Sequence, residues 1–183
     1  MFGWLFRKSP IIQEPVLGFL DLSNGAHEHF IRDDKKAFGS LFQSVVDSAS
    51  APPQCDVLFV YCNIDGDGKI RRTEMELRDI IYASGARIAV FATINQDCDY
   101  MRALRRPGRG RANIVLTLNR KGGAFGTFFH NLFDEMSYGT SMPVAWVKFA
   151  PQVPGMEHKD CPVTIFACEA GQVAFSSPAE QRA

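Results

Sequence analysis

The amino-acid sequence predicts an α/β protein: a single-domain, open, mainly parallel sheet flanked by helices, with a C-terminal antiparallel β extension. Two observations support this fold class. Short apolar runs alternate four times with segments of helical spacing, an order that favours parallel strands joined by right-handed crossovers. Beyond residue 139, strand-like runs follow one another with no predicted helix between them. For 183 residues, we expect one domain at 15–175, with tails at 1–14 and 176–183.

The predicted strands are short runs of apolar and β-branched residues, which are typical of strands buried on both faces of a sheet. Four of them alternate with the predicted helices and cover residues 15–22, 56–62, 86–93 and 112–118. Three more form the predicted C-terminal extension, at residues 142–150, 162–168 and 172–175.

The predicted helices place apolar residues at the three- and four-residue offsets that form one stripe on a helix. The longest such patterns cover residues 38–49 and 125–136, and Gly139 is the predicted C-cap of the second. Two shorter helices are predicted over residues 74–84 and 98–105.

Charge and cysteine content exclude several classes of protein. The 20 basic residues balance 20 acidic ones, which excludes a uniformly basic nucleic-acid coat. The 5 cysteines occur in no CxxC or similar spacing, so we expect reduced thiols and a cytoplasmic location.

No run approaches the roughly 18 apolar residues of a membrane span, so no transmembrane segment is expected. Residues 2–8 combine apolar and basic side chains suited to weak contact with a membrane surface.

Residues 63–74 follow a predicted strand and read Asn-Ile-Asp-Gly-Asp-Gly-Lys-Ile-Arg-Arg-Thr-Glu. This segment resembles the calcium loop of the EF-hand family, in which oxygen atoms at the first, third, fifth, seventh and twelfth positions surround the cation. The resemblance implies a Ca²⁺ or Mg²⁺ site with the side chains of Asn63, Asp65, Asp67 and Glu74 and the backbone carbonyl of Lys69 as ligands.

The alternative for the same residues is a tight Asp-Gly-Asp-Gly turn that leads into a capped helix without a metal. Thr73 and Glu76 match a capping box, which would make Glu74 the first helical residue. In an EF-hand the last ligand lies deeper in the helix. Either the helix starts earlier than this box implies, or Glu74 cannot reach the cation.

A second candidate site lies where the helix predicted over residues 125–136 begins. The preceding turn contains Arg120, Lys121, Gly122 and Gly123, and Thr127 follows shortly after. Exposed N–H groups at a helix N-terminus bind anions, and the two basic side chains would add charge. We therefore expect a small anionic ligand or cofactor group here; the alternative is a strand-to-helix turn that needs glycine only for its backbone.

Seven basic residues lie between positions 102 and 121 with no acidic residue among them. Their arginine-rich centre, residues 105–111, predicts either a solvated loop or a contact with phosphate or an acidic protein surface. It contains no aromatic side chain on which bases could stack, which argues against nucleic acid as the partner.

Cys62 ends a predicted strand at the edge where ligands of such sheets bind, which is where a nucleophile would be presented. In its element order the chain resembles the caspase-type and CHAT peptidase fold, whose catalytic His and Cys end consecutive strands. The corresponding positions hold Cys62 with Asn63, and Thr93 with Ile94. The resemblance therefore implies a catalytically degenerate relative.

These patterns favour a protein that binds without catalysing: a cytoplasmic module for a protein partner or a small anionic ligand, with a divalent cation at residues 63–74 as one possibility. No catalytic residue is predicted for it. The alternative is a metal-assisted hydrolase of a phosphate or other anionic ester. In that alternative the cation is held by Asp65, Asp67 and Asp97, and the anion by Arg120 and the glycine turn.

Overall fold

The computed structural model describes residues 11–150 and 162–176. Its strands are β1 (Ile11–Ile12), β2 (Val16–Asp21), β3 (Ser44–Ser48), β4 (Val57–Tyr61), β5 (Ile88–Phe91), β6 (Asn113–Asn119), β7 (Val163–Cys168) and β8 (Ala174–Phe175). Six of them form one sheet in the spatial order β3, β2, β4, β5, β6, β7. The first five are parallel and β7 is antiparallel to β6. The predicted α/β fold class is confirmed.

Helices cover both faces of this sheet. They are α1 (Glu28–Phe38), α2 (Leu77–Ser84), α3 (Asp97–Arg105), α4 (Gly123–Ser137) and α5 (Met142–Phe149). Alternate residues of β4 face opposite layers: Phe59 and Tyr61 belong to the core shared with α1, α4 and α5, whereas Leu58 and Val60 belong to the core shared with α2 and α3. All four are fully buried, which explains why β4 appears in the sequence as an unbroken apolar run.

Phenylalanine rings fill the layer between the sheet and the helices α1 and α4. The ring centroid of Phe59 lies 4.9–6.4 Å from those of five others, Phe19, Phe38, Phe125, Phe129 and Phe133. Such pairs contribute about 0.5–1.5 kcal/mol each beyond the burial of their area. This cluster fixes α1 and α4 against the sheet and so positions the loops at its carboxyl edge.

The helix predicted over residues 38–49 is wrong. α1 ends at Phe38, a 3₁₀ turn covers Gly39–Leu41, and Ser44–Ser48 is strand β3, paired parallel to β2. The apolar stripe of the helix lies earlier in the chain, at Phe30, Ile31, Ala37 and Phe38, and the buried Asp34 interrupts it. Because this acid occupies a position in the apolar stripe, apolar spacing alone does not predict α1.

The strand predicted over residues 142–150 is also wrong, because this segment forms helix α5. Its inward side chains follow offsets of three, four and seven: Met142, Ala145, Trp146 and Phe149. Val144 and Val147 are exposed. The β-branched and aromatic composition suggested a strand, whereas the proline in the first turn is typical of a helix start.

The helix predicted over residues 74–84 exists but begins later, at Leu77. The predicted capping box does not form. Instead the Thr73 hydroxyl accepts the N–H of Met75 at 3.1 Å and lies 3.1 Å from the Ile70 carbonyl, to which it donates. These bonds close a turn ahead of the helix.

The helices predicted over residues 98–105 and 125–136 are confirmed as α3 and α4. Gly139 lies just past the C-cap of α4 with φ at 87°, the left-handed conformation that favours glycine there.

Two short strands join the ends of the described chain. Ile11 and Ile12, within the predicted N-terminal tail, pair parallel to Ala174 and Phe175. β8 therefore belongs to a separate two-stranded sheet, while β7 forms the predicted antiparallel extension. Residues 2–8, with their predicted membrane contact, and residues 177–183 lie outside the described residues.

Candidate functional site

The carboxyl ends of the five parallel strands lie at one edge of the sheet. β2 lies between β3 and β4, so the chain moves to one side of β2 to form β3 and to the other side to form β4. Open α/β sheets bind ligands at such an edge. One cavity there, of about 590 Å³, is lined by the loops after β4 and β5, including Asn63, Asn95 and Asp97. A second, of about 440 Å³, lies between α1 and the β6–α4 turn. This Arg120 cavity is lined by Phe30, Asp33, Asp34, Lys36, Ala37, Arg120, Gly122, Gly123 and Gly126.

A buried ion pair lines the Arg120 cavity. Arg120 follows β6, and its Nη2 donates to Oδ1 of Asp34 on α1 at 2.5 Å. The two side chains are only 3% and 1% exposed. Tyr61, the last residue of β4, donates its hydroxyl to Oδ2 of Asp34 at 2.6 Å. Asp34 therefore links three elements that are distant in the sequence.

The guanidinium of Arg120 lies against two aromatic rings but is short of hydrogen-bond acceptors. Its Cζ is 4.3 Å from the ring centroid of Phe30 and 3.9 Å from that of Phe125. Besides Asp34, the acceptor it reaches among the described residues is the Ala92 carbonyl, at 3.5 Å. Its Nε is buried without a hydrogen-bond partner among the described residues. A buried donor left unpaired costs about 1–3 kcal/mol, and a ligand acceptor that displaced the groups covering Nε would recover that free energy.

The turn after Arg120 provides further donors. Gly122 is the N-cap of α4 with φ at 50°, and the helix begins at Gly123. A Cβ atom at either glycine would have no atom within 4 Å, so this end of the helix is open. The helix dipole favours negative charge at this end, although the Ala124 and Phe125 N–H groups already donate to the Lys121 and Gly122 carbonyls at 3.0 and 3.3 Å.

The structure brings together three of the five residues predicted for the anion site: Arg120, Gly122 and Gly123 line the cavity. Lys121 lies in the same turn, and the Thr127 hydroxyl donates to the Gly123 carbonyl at 3.2 Å within the helix.

Sequence reasoning missed Asp34 and Tyr61. The single acid inside the apolar stripe of α1 was the available signal for Asp34. The hydroxyl of Tyr61 had no signal, because the predicted strand explains an aromatic residue at that position.

Burial dominates the ionisation of the side chains around Arg120. It raises the pKa of Asp34, against the opposing effect of the hydrogen bonds from Arg120 and Tyr61. It also raises the pKa of Tyr61 well above the usual value, with the Asp34 charge acting in the same direction. His27, the N-cap of α1, has a lowered pKa, chiefly because burial disfavours the imidazolium. Its Nε2 is buried with no hydrogen-bond partner among the described residues.

The loop of residues 63–74 is closed by its own hydrogen bonds. Oδ1 of Asp65 accepts the N–H groups of Lys69 and Asp67, each at 3.0 Å, and these bonds lower the pKa of Asp65. The Lys69 carbonyl accepts the Asp65 N–H at 2.9 Å. A loop carboxylate and the predicted carbonyl ligand are therefore already paired with loop N–H groups.

Arginines of the protein also hold this loop. Arg102 donates to the Gly66 carbonyl at 2.7 Å. Arg106 donates to the Asp67 carbonyl at 3.1 and 2.9 Å and pairs with Glu76 at 2.6 Å. Internal cations thus bind two loop carbonyls and fix the loop against the C-terminal half of α3.

The predicted metal ligands do not converge as a set of carboxylates. Among residues 11–150 and 162–176, no group of three or more His, Cys, Asp or Glu side chains could hold a metal ion. That result applies to Asp65, Asp67 and Glu74, and to the hydrolase set in which Asp97 replaces Glu74. Calcium or magnesium binding with Asn63 and the Lys69 carbonyl as additional ligands stays a prediction, which calorimetry with each cation tests.

The arginine-rich stretch encloses a buried arginine of α2. Arg78 is 4% exposed and donates to the carbonyls of Leu104 and Gly110 at 3.0 and 3.1 Å. It also binds both carboxylate oxygens of Glu169, one of them at 2.7 Å. Arg111 lies 3.5 Å from the same carboxylate. This part of the predicted cationic loop is therefore a clamp around Arg78.

The end of β4 forms a structural junction. Cys62 is fully buried, and burial raises the pKa of its thiol to about 12. The Thr93 hydroxyl accepts the Cys62 N–H at 3.3 Å and donates to the Cys62 carbonyl. Asn95 binds the same carbonyl at 3.2 Å and accepts the Ile64 N–H at 2.8 Å. A thiol with so high a pKa is inert as a nucleophile.

Comparison with models of protein families, with curated proteins and with solved structures found no match. The EF-hand-like and caspase-type resemblances therefore stay predictions. Within the described ranges, no helix is long and apolar enough to cross a bilayer.

Proposed function

We propose that the protein is a non-catalytic cytoplasmic binding module whose ligand is a small molecule with an oxyanion group, bound in the Arg120 cavity. The buried Arg120 guanidinium supports this most directly, because its Nε has no hydrogen-bond partner among the described residues. The four described cysteines are free thiols, which fits a reducing compartment.

An oxyanion suits this guanidinium and the adjacent helix end. The planar arginine fork can present two parallel N–H groups to one oxyanion, and Asp34 takes only Nη2 of Arg120. The start of α4 at Gly123 adds the favourable end of the helix dipole. Both features therefore support a negatively charged group at this end of the cavity.

The size of the cavity supports a ligand larger than an inorganic ion. About 440 Å³ is in the range of small-molecule pockets. Phe30, Ala37 and Gly126 give it an apolar part, while Lys36 and Asp33 add one charge of each sign to its lining. We therefore expect an organic body in contact with the apolar residues and its anionic group at Arg120.

The condition of Cys62 argues against a cysteine nucleophile at the sheet edge. The Cys62 thiol is buried with a pKa of about 12. Its backbone N–H and carbonyl groups are held by Thr93 and Asn95.

Titration calorimetry with phenyl phosphate tests the proposal. The wild-type protein should bind at one site, whereas the double variant Asp34→Asn, Arg120→Met should not. Removing both charges together avoids leaving one buried and unpaired, and circular dichroism would verify its fold. Arg102→Met is the matched control: its side chain is 55% exposed on α3, so binding should persist. No binding by the wild type, or equal binding by the double variant, would contradict the proposal.

A further inference from the structure

Asp34 places a carboxylate beside the group proposed to hold the oxyanion. We infer that an oxyanion bound in the Arg120 cavity shares one proton with Asp34, so that the site selects phosphate monoesters over sulfate monoesters. This inference rests on the proposed function and names the class of ligand and the residue that selects it.

The hydrogen-bond inventory of the cavity calls for a ligand that both accepts and donates. Each carboxylate oxygen of Asp34 accepts one hydrogen bond: Oδ1 from Arg120 and Oδ2 from Tyr61. An ionised carboxylate can accept about four, so Asp34 has capacity for a further donor. Arg120 has the opposite need, since its Nε lacks an acceptor among the described residues. A protonated phosphate group offers P–O⁻ to Arg120 and P–OH to Asp34.

The charges in the cavity also favour a ligand that carries a proton. Arg120 and Asp34 neutralise each other, and both side chains are almost completely shielded from solvent. A fully ionised oxyanion would bring a second negative group next to Asp34. Keeping two neighbouring anionic groups ionised in a buried site costs electrostatic free energy, so one of them tends to bind a proton. One proton between them removes that repulsion. A phosphate monoester can hold this proton itself, because its second pKa is about 6, whereas with a sulfate Asp34 must hold it.

The groups around Asp34 come from every element packed against it. Arg120, after β6, and Tyr61, at the end of β4, bind it directly. Among the described residues, the other charged or titratable groups near this pair include Asp33 and Lys36 on α1, His27 at its N-cap, and Asp21 at the end of β2. On α4, Nδ1 of His130 lies 2.8 Å from the Ala37 carbonyl. Burial raises the pKa of Asp34, which lowers the cost of placing a proton there. Burial lowers the pKa of His27 and so favours its neutral imidazole.

Phosphate and sulfate monoesters differ in whether they carry a proton that ionises near neutral pH. Phosphate monoesters lose their second proton at about pH 6, so a singly protonated form is available near neutrality. Sulfate monoesters have the same tetrahedral shape but stay fully ionised. The pair phenyl phosphate and phenyl sulfate therefore varies the proton while the organic body stays constant.

The test is calorimetry of the wild-type protein with both esters at about pH 6, 7 and 8, at constant ionic strength. Phenyl phosphate should bind at least about tenfold more tightly than phenyl sulfate at the lowest pH. Its dissociation constant should rise by up to about tenfold per pH unit above the pKa of the ester. Titrations at about pH 7 in two buffers with different ionisation enthalpies should show uptake of close to one proton per ligand.

The variant Asp34→Asn tests the residue itself. Its amide can donate to a sulfate oxygen, so the preference for phosphate should fall below about threefold. Asp79→Asn, an exposed acid on α2 on the other face of the sheet, is the control and should keep the preference.

Equal affinity for the two esters, or no proton uptake by the wild type, would overturn the inference and leave the proposed function standing. A full phosphate preference in a folded Asp34→Asn variant would also overturn it. Failure of the wild type to bind either ester would overturn both the inference and the proposed function. The buffer comparison uses only wild-type protein, so the inference is testable even if Asp34→Asn does not fold.

Discussion

Replacing Gly110 with alanine should strongly destabilise the protein, because this residue lies against the backbone of α2. A Cβ atom there would be 2.8 Å from both the Ile81 Cβ and the Tyr82 nitrogen, and closer still to the Arg78 carbonyl oxygen. Favourable contacts between heavy atoms lie at about 3.5–4.0 Å. Since two of these atoms belong to helix backbone, the clash cannot be relieved by a side-chain rotation.

The expected cost follows from that geometry. Overpacking of a well-packed site costs about 1–3 kcal/mol, and we expect Gly110→Ala near the upper limit. With a urea m-value of about 2 kcal/mol/M, a loss of 3 kcal/mol lowers the unfolding midpoint by about 1.5 M. Gly66→Ala is the control, because a Cβ atom at Gly66 would have no atom within 4 Å. A Gly110→Ala midpoint within about 0.3 M of the wild type would refute the packing of the 105–111 loop on α2.

Three other predictions concern the same core and its charges. Phe59→Ala should cost about 3–5 kcal/mol in urea unfolding, since the ring is fully buried among other phenylalanines. The hydrogen bond from Arg78 lowers the pKa of Glu169, so its stabilising effect is present above pH 4.3, about the pKa of an unperturbed glutamate, and is lost as pH falls toward the folded-state pKa. The stability advantage of the wild type over Glu169→Gln should therefore shrink on acidification. At about pH 8 a thiol reagent should label the exposed Cys98 but reach Cys62 only after unfolding, as peptide mapping would show.

The sequence predicted elements well where one physical signal dominated. β4, β5 and β6 are buried on both faces, so they appear as continuous apolar runs. α4 has an uninterrupted apolar stripe. The prediction failed where two patterns overlap over a short length. In α5 the β-branched residues are the exposed ones, and in α1 a buried acid breaks the stripe.

The sequence predicted only those residues of the candidate site that are neighbours in the chain. Glycines and basic residues before a helix are neighbours in the chain, so the sequence identified Arg120 and its turn. The acid that pairs with Arg120 is 86 residues away, and the one that pairs with Arg78 is 91 residues away. Such pairings depend on which strands become neighbours, and a single sequence does not contain that order.

The two buried arginines show why one site is structural and the other is suited to a ligand. Arg78 and Arg120 are 4% and 3% exposed, and each is paired with a carboxylate. Arg78 uses both terminal nitrogens on Glu169 and on two backbone carbonyls, so its bonds hold a loop in place. Arg120 makes one short bond to Asp34 and one long bond to a carbonyl, and its Nε is buried without a partner among the described residues. Replacing a buried ion pair with apolar side chains is often neutral or stabilising, so stability gives little reason to keep an incompletely bonded one beside a cavity. An acceptor supplied by a ligand gives such a reason, and the cavity lined by both members of the pair has room for it.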